Sequence, residues 1–426
     1  MGQKKVRARK SALMNRWDME YYKLLLPLAM ILVLSKLLSL GSRRIGLPQV
    51  VGMLAAGILL GLIKFIPNQE IFTEDTLEGL SFIAKIGVIL IMFSAGIETD
   101  IGQFKRTGGA SVVITILGVV FPLGLGFLVA CAFNGGFGSL THRHIIENLF
   151  YGTILAATSV SITVATLKEL GKLNSKVGTS VITAAILDDI IGVILLSLLI
   201  SLKDTNDVSD VGISIGLMAA FFVAAFSVGI PVLLLFKWMS QKYGHHRRIP
   251  IFAFATCFLF SWAAERWFHV ADITGAYVAG LILSAISDRN YVDQKIEISN
   301  YMIFGPVFFA NIGIQTSFDA INGQMAAFGL LLVAAGIAGK LLGCGLGAKI
   351  CGFSNKDSFR VGLGMMVRAE VILVCTQKGI SAGLVNEGIM PFTLILIVLT
   401  SLLTPILLKL SYKNELKIPS DRLASA

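Results

Sequence analysis

Apolar segments long enough to cross a bilayer recur along the chain from Leu24 to Leu410. A helix needs about 20 apolar residues to span the hydrocarbon core, and a soluble protein would not contain so many segments of that length. Hydrophobic residues make up 55% of the sequence and charged residues 15%, and the mean hydropathy is +0.79. Because helices satisfy their own backbone hydrogen bonds in lipid, the sequence predicts an all-α membrane protein.

The apolar pattern predicts about thirteen transmembrane helices. The segments cover residues 24–40, 48–66, 80–95, 108–133, 149–170, 177–202, 211–236, 250–268, 273–286, 301–314, 325–351, 359–379 and 389–410. No connection is long enough to hold a further soluble domain. We therefore expect a basic N-terminal segment (1–23), a transmembrane domain (24–410) and a short tail (411–426).

Basic residues in the connections favour one orientation. Connections that follow odd-numbered segments contain sixteen, namely Arg43, Arg44, Lys105, Arg106, Lys168, Lys172, Lys176, Lys237, Lys242, Arg247, Arg248, Arg289, Lys295, Lys349, Lys356 and Arg360. Connections that follow even-numbered segments contain five, namely Lys64, Arg143, Lys203, Arg266 and Lys378. Basic residues accumulate on the cytoplasmic side, so the odd connections and the C-terminal tail are predicted in the cytoplasm of a plasma-membrane protein.

The N-terminal segment is itself basic. It contains Lys4, Lys5, Arg7, Arg9, Lys10, Arg16 and Lys23 against Asp18 and Glu20. A basic run before an apolar segment is typical of contact with anionic lipid, so we expect no nucleic-acid partner. Thirteen spans place this segment outside the cell, in conflict with its charge.

The two halves of the sequence repeat short patterns in the same order. The glycine spacing of 52–57 recurs at 275–280, the string 96–99 is similar to 313–316, and 155–171 has the same length as 363–379. The members of each pair are seven segments apart along the chain, an odd offset, so the repeats are predicted to be inverted. Inverted repeats are typical of secondary transporters.

Two adjacent carboxylates, Asp188 and Asp189, interrupt segment 177–202 near its centre. A charge at mid-membrane costs about 2.5–3.5 kcal/mol on insertion scales, so both must face protein or water. Neighbouring helical residues point about 100° apart. We therefore expect one carboxylate to be held by a partner in the protein and the other to bind a ligand. Lys340 lies near the centre of segment 325–351, where an acidic partner at similar depth would stabilise its charge.

Two segments carry polar residues that predict broken helices. The first, 149–170, contains Thr158, Ser159, Ser161 and Thr163 within six positions, and the second, 359–379, contains Arg368 and Glu370. Side-chain hydroxyls compete for backbone hydrogen bonds, and broken helices at the midplane build ion sites in transporters. Hydroxyl packing between helices and a structural ion pair between Arg368 and Glu370 explain the same residues without an ion site.

The chain resembles the bacterial branch of the monovalent cation:proton antiporter superfamily, particularly the thirteen-helix sodium/proton antiporters. Six strings occur between about Arg43 and Leu410, namely GLPQVVGMLAAGILLG, IMFSAGIETD, ATSVSITVATLKELG, ILDDIIGVIL, GPVFFANIGIQ and GMMVRAEVILV, and together they carry this resemblance. It implies exchange of a monovalent cation, Na⁺ in the first place, for H⁺. It also implies a homodimer whose core domain, with two broken helices that cross, moves against a panel domain.

The resemblance assigns roles to individual residues. The residue matching Asp189 binds the cation, with Asp188 and Thr158 as further ligands, and Thr158 and Ser159 match the unwound crossing. The residue matching Asp188 pairs with the lysine at the position of Lys340. Two aspartates with this lysine imply electrogenic exchange. Val367 and Ala369 depart from the Pro and Gly that usually flank the Arg-Glu motif.

Other classes remain as alternatives. A K⁺/H⁺ antiporter or a potassium efflux channel-like protein would share the fold, although channel-like relatives usually carry a nucleotide-binding domain. A bile-acid-type sodium symporter lacks the combination of Asp188, Asp189 and Lys340. An intramembrane aspartyl protease needs carboxylates that converge from separate helices, so we expect a transporter and not an enzyme. The chain contains no GKS or GKT motif, and no cofactor is expected.

Overall fold

The computed structural model describes residues 22–44, 47–99, 104–139, 141–159, 161–203, 208–243, 248–316 and 322–416. All regular structure in these residues is helical. The α-helices are α1 Tyr22–Arg44, α2 Gln49–Gly61, α3 Glu74–Glu98, α4 Phe104–Phe133, α5 His142–Ala156, α6 Ser161–Glu169, α7 Lys176–Leu202, α8 Val208–Tyr243, α9 Arg248–Phe268, α10 Asp272–Leu283, α11 Arg289–Ser299, α12 Gly305–Gln315, α13 Gly323–Ile350, α14 Asn355–Gly364, α15 Glu370–Ser381 and α16 Met390–Leu416.

The helices account for the apolar segments predicted from the sequence. Eight of those in the described residues are long and apolar enough to span a membrane. Segments 149–170 and 359–379 each coincide with two helices, α5 with α6 and α14 with α15. The all-α membrane fold is confirmed, whereas the count of thirteen spans stays a prediction. The sequence did not predict α11, a mostly polar helix in the connection between α10 and α12.

The helices belong to two compact units. The first contains α1, α2, residues 74–88 of α3, and α12. Its core includes Ile31, Leu60, Leu80 and Val307, all nearly or completely buried. Close packing depends on Gly57 of α2, where a Cβ would collide with the backbone of Ala310.

The second unit contains residues 89–98 of α3, α4 to α10, residues 289–297 of α11, and α13 to α16. Its most extensive contact between two helices is that of α4 with α13. A Cβ on Gly339 would lie 2.6 Å from the Cα of Pro122 there. Residues 89–98 of α3 pack against α10, where a Cβ on Gly280 would lie 3.0 Å from the Cα of Gly96. Small residues let membrane helices approach this closely.

Glycines of the two repeated patterns contact each other, and each contact joins different patterns from opposite halves of the sequence. In the first unit, a Cβ on Gly313 would lie 2.8 Å from the Cα of Gly57. In the second unit, Gly280 and Gly96 form the equivalent contact. Each contact joins the first copy of one pattern to the second copy of the other, as expected of halves related by a two-fold axis.

Candidate functional site

Two interrupted helices cross in the second unit. Helix α5 ends at Ala156 and α6 begins at Ser161, while α14 ends at Gly364 and α15 begins at Glu370. The backbone N–H of Ser159 donates to the carbonyl of Val367 at 3.0 Å. The predicted pair of broken, crossing helices is therefore confirmed. It leaves the ends of four short helices inside the protein.

Arg368 connects the two unwound segments and is completely buried. Its Nη2 donates to the carbonyl of Leu155 at 2.6 Å, and its Nη1 donates to Oγ1 of Thr158 at 3.2 Å. Its own backbone N–H donates to Thr400 Oγ1 at 3.1 Å. A cation stabilises the carbonyl end of a helix, and Arg368 lies at the end of α5. Its role in this structure is to hold the crossing together.

The structure does not form the predicted ion pair between Arg368 and Glu370. These residues flank Ala369, whose backbone, at φ −150° and ψ −124°, is neither helical nor extended. The helix begins only at Glu370, and its first turn carries that carboxylate away from the carbonyls that Arg368 binds. The Glu370 carboxylate instead accepts a hydrogen bond from the Ser159 side chain.

Helix α7 presents the two aspartates. The helix begins after Ser175, whose side chain caps it by accepting from the N–H of Gly178 at 3.1 Å. Near its middle, Asp188 Oδ1 accepts a hydrogen bond from Lys340 Nζ of α13 at 2.5 Å. The exposed fractions of the two side chains are 1% and 0%. The other oxygen of Asp188, Oδ2, is buried and has no hydrogen-bond partner in the described part of the chain.

Asp189 faces a small cavity. The lining residues come from α3, α5, α7, α10, α15 and the first unwound segment: Met92, Thr153, Ala157, Asp188, Asp189, Gly192, Val193, Leu196, Ile273, Val371, Val374 and Cys375. The space open to the centre of a water-sized sphere is about 10 Å³, roughly what a single water needs. No described residue donates a hydrogen bond to Asp189, although Asp188, Glu370 and Lys340 lie near enough to act on its charge.

The sequence-predicted hydroxyl residues lie beside the cavity without lining it. Thr158 is 3% exposed, and its hydroxyl contacts Arg368 and donates to the Ala156 carbonyl at 3.4 Å. Ser159 contacts Glu370. Thr153 and Ala157 line the cavity instead. Sequence reasoning missed Thr153, whose only signal was one more hydroxyl near the predicted break.

A second polar contact lies at the end of α3. Ser94 Oγ donates to Asp293 Oδ1 of α11 at 2.5 Å. Burial raises the pKa of the Asp293 carboxyl and Glu297 raises it further, whereas the hydrogen bond from Ser94 lowers it. This contact fixes α11, which lies outside the predicted spans, against a spanning helix.

An all-helical membrane protein with two broken helices that cross beside buried carboxylates has the architecture of a secondary transporter. A family model described as "Sodium/hydrogen exchanger, transmembrane" matches residues 29–410. The chain belongs to this family.

Comparison with individual proteins supports the same family. The chain is 33% identical over 398 residues to the "Na(+)/H(+)-K(+) antiporter GerN" of Bacillus cereus, covering 92% of this chain and 97% of that protein. It is 33% identical over 390 residues to a "Na(+)/H(+) antiporter" of Enterococcus hirae, covering 90% and 96%. The sodium proton antiporter MjNhaP1 of Methanocaldococcus jannaschii matches in structure with a TM-score of 0.67 and 17% identity, covering 93% of this chain and 98% of that one. This last likeness shows the fold alone.

Proposed function

We propose that the protein exchanges Na⁺ for H⁺ across the plasma membrane as a secondary antiporter. The observation that carries the proposal is the contrast between the two aspartates. Asp188 is neutralised by Lys340, whereas Asp189 has no hydrogen-bond partner among the described residues and faces a cavity beside the crossing. Two similar proteins, from Bacillus cereus and Enterococcus hirae, are named as Na⁺/H⁺ antiporters, which supports Na⁺ as the cation.

The mechanism is competition for one carboxylate. Asp189 takes either a proton or a cation, so one cargo excludes the other. The cavity of about 10 Å³ fits a small ion that has shed most of its hydration shell, and we assign the unpaired Oδ2 of Asp188 as a further ligand. The Thr158 hydroxyl joins the ligand set only if it leaves Arg368.

Coupling comes from the ion pair. A cation bound between Asp188 and Asp189 repels the ammonium of Lys340 and weakens its pairing with Asp188. A buried charge without its partner is penalised, so the weakened pair favours release of a second proton in addition to the one displaced from Asp189. Two protons exchange for one cation, and the cycle moves net charge. Each elementary charge is worth about 2.3 kcal/mol per 100 mV of membrane potential.

Alternating access requires one part of the molecule to move. We assign the crossing helices, together with the paired aspartates of α7 beside them, to a core domain that moves against a panel domain, and the panel domain forms a homodimer. The distribution of basic residues supports a cytoplasmic C-terminus. Tags at the two ends, tested for accessibility in intact cells, locate the termini, and cross-linking in the membrane identifies the dimer.

The test is transport by the purified protein in liposomes. Addition of Na⁺ to vesicles loaded with an acidic buffer should alkalinise the lumen, and the same exchange should generate a current on a solid-supported membrane. Li⁺ and K⁺ are compared at the same concentration, because the Bacillus cereus relative carries K⁺ in its name. Exchange with K⁺ and none with Na⁺ would assign a K⁺/H⁺ antiporter. Exchange without current would overturn the electrogenic mechanism.

A further inference from the structure

An ion pair joins the start of α10 to the end of α15. Lys378 Nζ donates to Asp272 Oδ1, and the side chains are 24% and 22% exposed. Asp272 is fixed by its own helix, because its Oδ1 also accepts from the N–H of Ile273 at 2.8 Å. Its backbone N–H donates to Glu265 Oε2 of α9 at 3.1 Å. The pair therefore attaches the end of α15 to the junction of α9 and α10.

The ion pair lies next to the cavity that contains Asp189. Ile273, adjacent to Asp272, lines the cavity, and so does Cys375, which precedes Lys378 by about one helical turn. Both ends of the pair adjoin even-numbered connections, on the predicted non-cytoplasmic side. A second contact, between the Ser197 and Thr274 hydroxyls, joins α7 to α10 at the same end. The contact between α10 and α15 therefore lies at the predicted non-cytoplasmic end of the cavity.

Helix α15 can move more readily than a continuous spanning helix. It contains only 12 residues, and its first turn follows the unwound segment 365–369. The position of its far end therefore depends on side-chain contacts such as that of Lys378. A partly exposed ion pair exchanges its partner for water at small cost, whereas a fully buried pair such as Lys340 with Asp188 does not.

We propose that Lys378 and Asp272 form a gate that closes the cavity toward the non-cytoplasmic side and breaks once in each transport cycle. The role as a gate rests on the proposed function, because it assumes alternating access. The physical prediction does not, since loss of the pair should separate α15 from α10 whether or not the protein transports Na⁺. Both residues are positioning residues, and neither touches the cation.

The native thiol of Cys375 reports the opening. This side chain is 3% exposed in the closed arrangement. The wild-type protein, Lys378→Gln and Asp272→Asn are placed in lipid nanodiscs and treated with N-ethylmaleimide, and the labelling of each cysteine is followed by peptide mass spectrometry. Each substitution should raise the labelling rate of Cys375 roughly two- to fivefold, the population shift expected from a partly exposed ion pair. The two variants remove charges of opposite sign, so an electrostatic effect on thiol reactivity cannot explain an increase in both.

Three controls separate a gate from a general loss of structure. Lys378→Arg keeps the charge and should label as the wild type does. Arg143→Gln breaks an ion pair within α5 on the same side and should leave Cys375 unchanged. Labelling of Cys131 and Cys257, both fully buried elsewhere, should not rise in any variant.

Unchanged Cys375 labelling in Lys378→Gln and Asp272→Asn would overturn the gate, and so would a parallel rise at Cys131 and Cys257. Transport of the wild-type protein is measured separately in liposomes. If the wild-type protein lacks exchange while the two variants show the increase in Cys375 labelling, the antiporter is refuted and the ion pair remains as a closure of the cavity. Normal exchange with unchanged labelling would refute the gate alone.

Discussion

Lys340 Nζ lies 2.5 Å from Asp188 Oδ1, and the pair connects the middle of α13 to the middle of α7 with neither side chain exposed by more than 1%. Each charge is stable at that depth because the other is present, since desolvation of a single ion costs several kcal/mol. The pair also leaves one oxygen of Asp188 unused beside Asp189. Stability and the proposed ion site therefore depend on the same contact.

Single and double substitution of this pair should give strongly non-additive effects. Lys340→Gln leaves a buried carboxylate without its partner and should lower the free energy of unfolding by about 3–5 kcal/mol. Asp188→Asn should have a comparable effect through Lys340. The double variant removes both charges and should recover most of the loss. Thermal unfolding in detergent compares the stability of the wild type, the two single variants and the double variant. Additive losses of stability would contradict the dependence of each charge on the other.

Asp189→Asn should abolish cation-coupled proton movement while the protein stays folded. The amide keeps the shape of the carboxylate but cannot exchange a proton for a cation. Because Asp189 has no hydrogen-bond partner among the described residues, we expect a change in stability below about 1 kcal/mol. Glu147→Gln is the control, as it removes a carboxylate from the ion pair with Arg143 at 2.9 Å on the surface. Near-normal exchange by folded Asp189→Asn would exclude this residue from the ion site.

The sequence predicted the residues whose charge is incompatible with lipid. Asp188, Asp189 and Lys340 lie near the centres of apolar segments, and hydrocarbon leaves few ways to accommodate them. The broken helices were also predictable, because hydroxyl residues and charges replace aliphatic residues within the two repeated stretches 155–171 and 363–379. The general architecture follows from these constraints.

The partners of the polar residues were not predictable. Arg368 and Glu370 are two positions apart, and their pairing depends on where α15 begins. The structure begins that helix at Glu370, so Arg368 binds the carbonyls of the other broken helix instead. Thr158 likewise faces Arg368 because the crossing geometry turns Ala157 toward the cavity. A shift of one residue in a helix start turns the side chains by about 100° and so changes such contacts.

Arg368→Lys should lower stability and exchange together. The guanidinium reaches the Leu155 carbonyl and the Thr158 hydroxyl with separate nitrogens, whereas an ammonium cannot reproduce this planar fork. Loss of one hydrogen bond to a charged group costs about 1.5–3 kcal/mol. Arg360→Lys is the matched control, since Arg360 is also buried and bonds the Ser411 carbonyl at 2.7 Å, away from the crossing. Exchange should survive in Arg360→Lys only, and equal exchange by both variants would contradict the role of Arg368.

The stability of the protein should depend on the ionisation of Asp293. Its pKa is raised in the folded state, so the unfolded chain loses this proton first as the pH rises from about 4. Stability therefore falls through the interval between the ordinary and the raised pKa and stays lower above it. The amide of the Asp293→Asn variant does not titrate. The melting temperature of this variant minus that of the wild type should therefore increase as the pH is raised from about 4 to about 8.

Ser94→Ala sharpens this test. The hydrogen bond from Ser94 favours the ionised carboxylate of Asp293, so its removal should make the wild-type pH dependence steeper. A melting-temperature difference between Asp293→Asn and the wild type that is independent of pH would show that the carboxylate is solvated.

Gly57→Ala should destabilise the first unit through a backbone collision. A Cβ at this position would overlap the carbonyl of Ala310, and neither α2 nor α12 can yield without losing the contact between Gly57 and Gly313. Overpacking of this kind costs about 1–3 kcal/mol. Gly124→Ala in α4 is the matched control, because nothing lies within 4 Å of its Cβ. That change should be neutral or stabilise the protein by up to about 1 kcal/mol, since alanine stabilises a helix more than glycine does. Equal melting temperatures for the two variants would refute close packing of the repeated glycines.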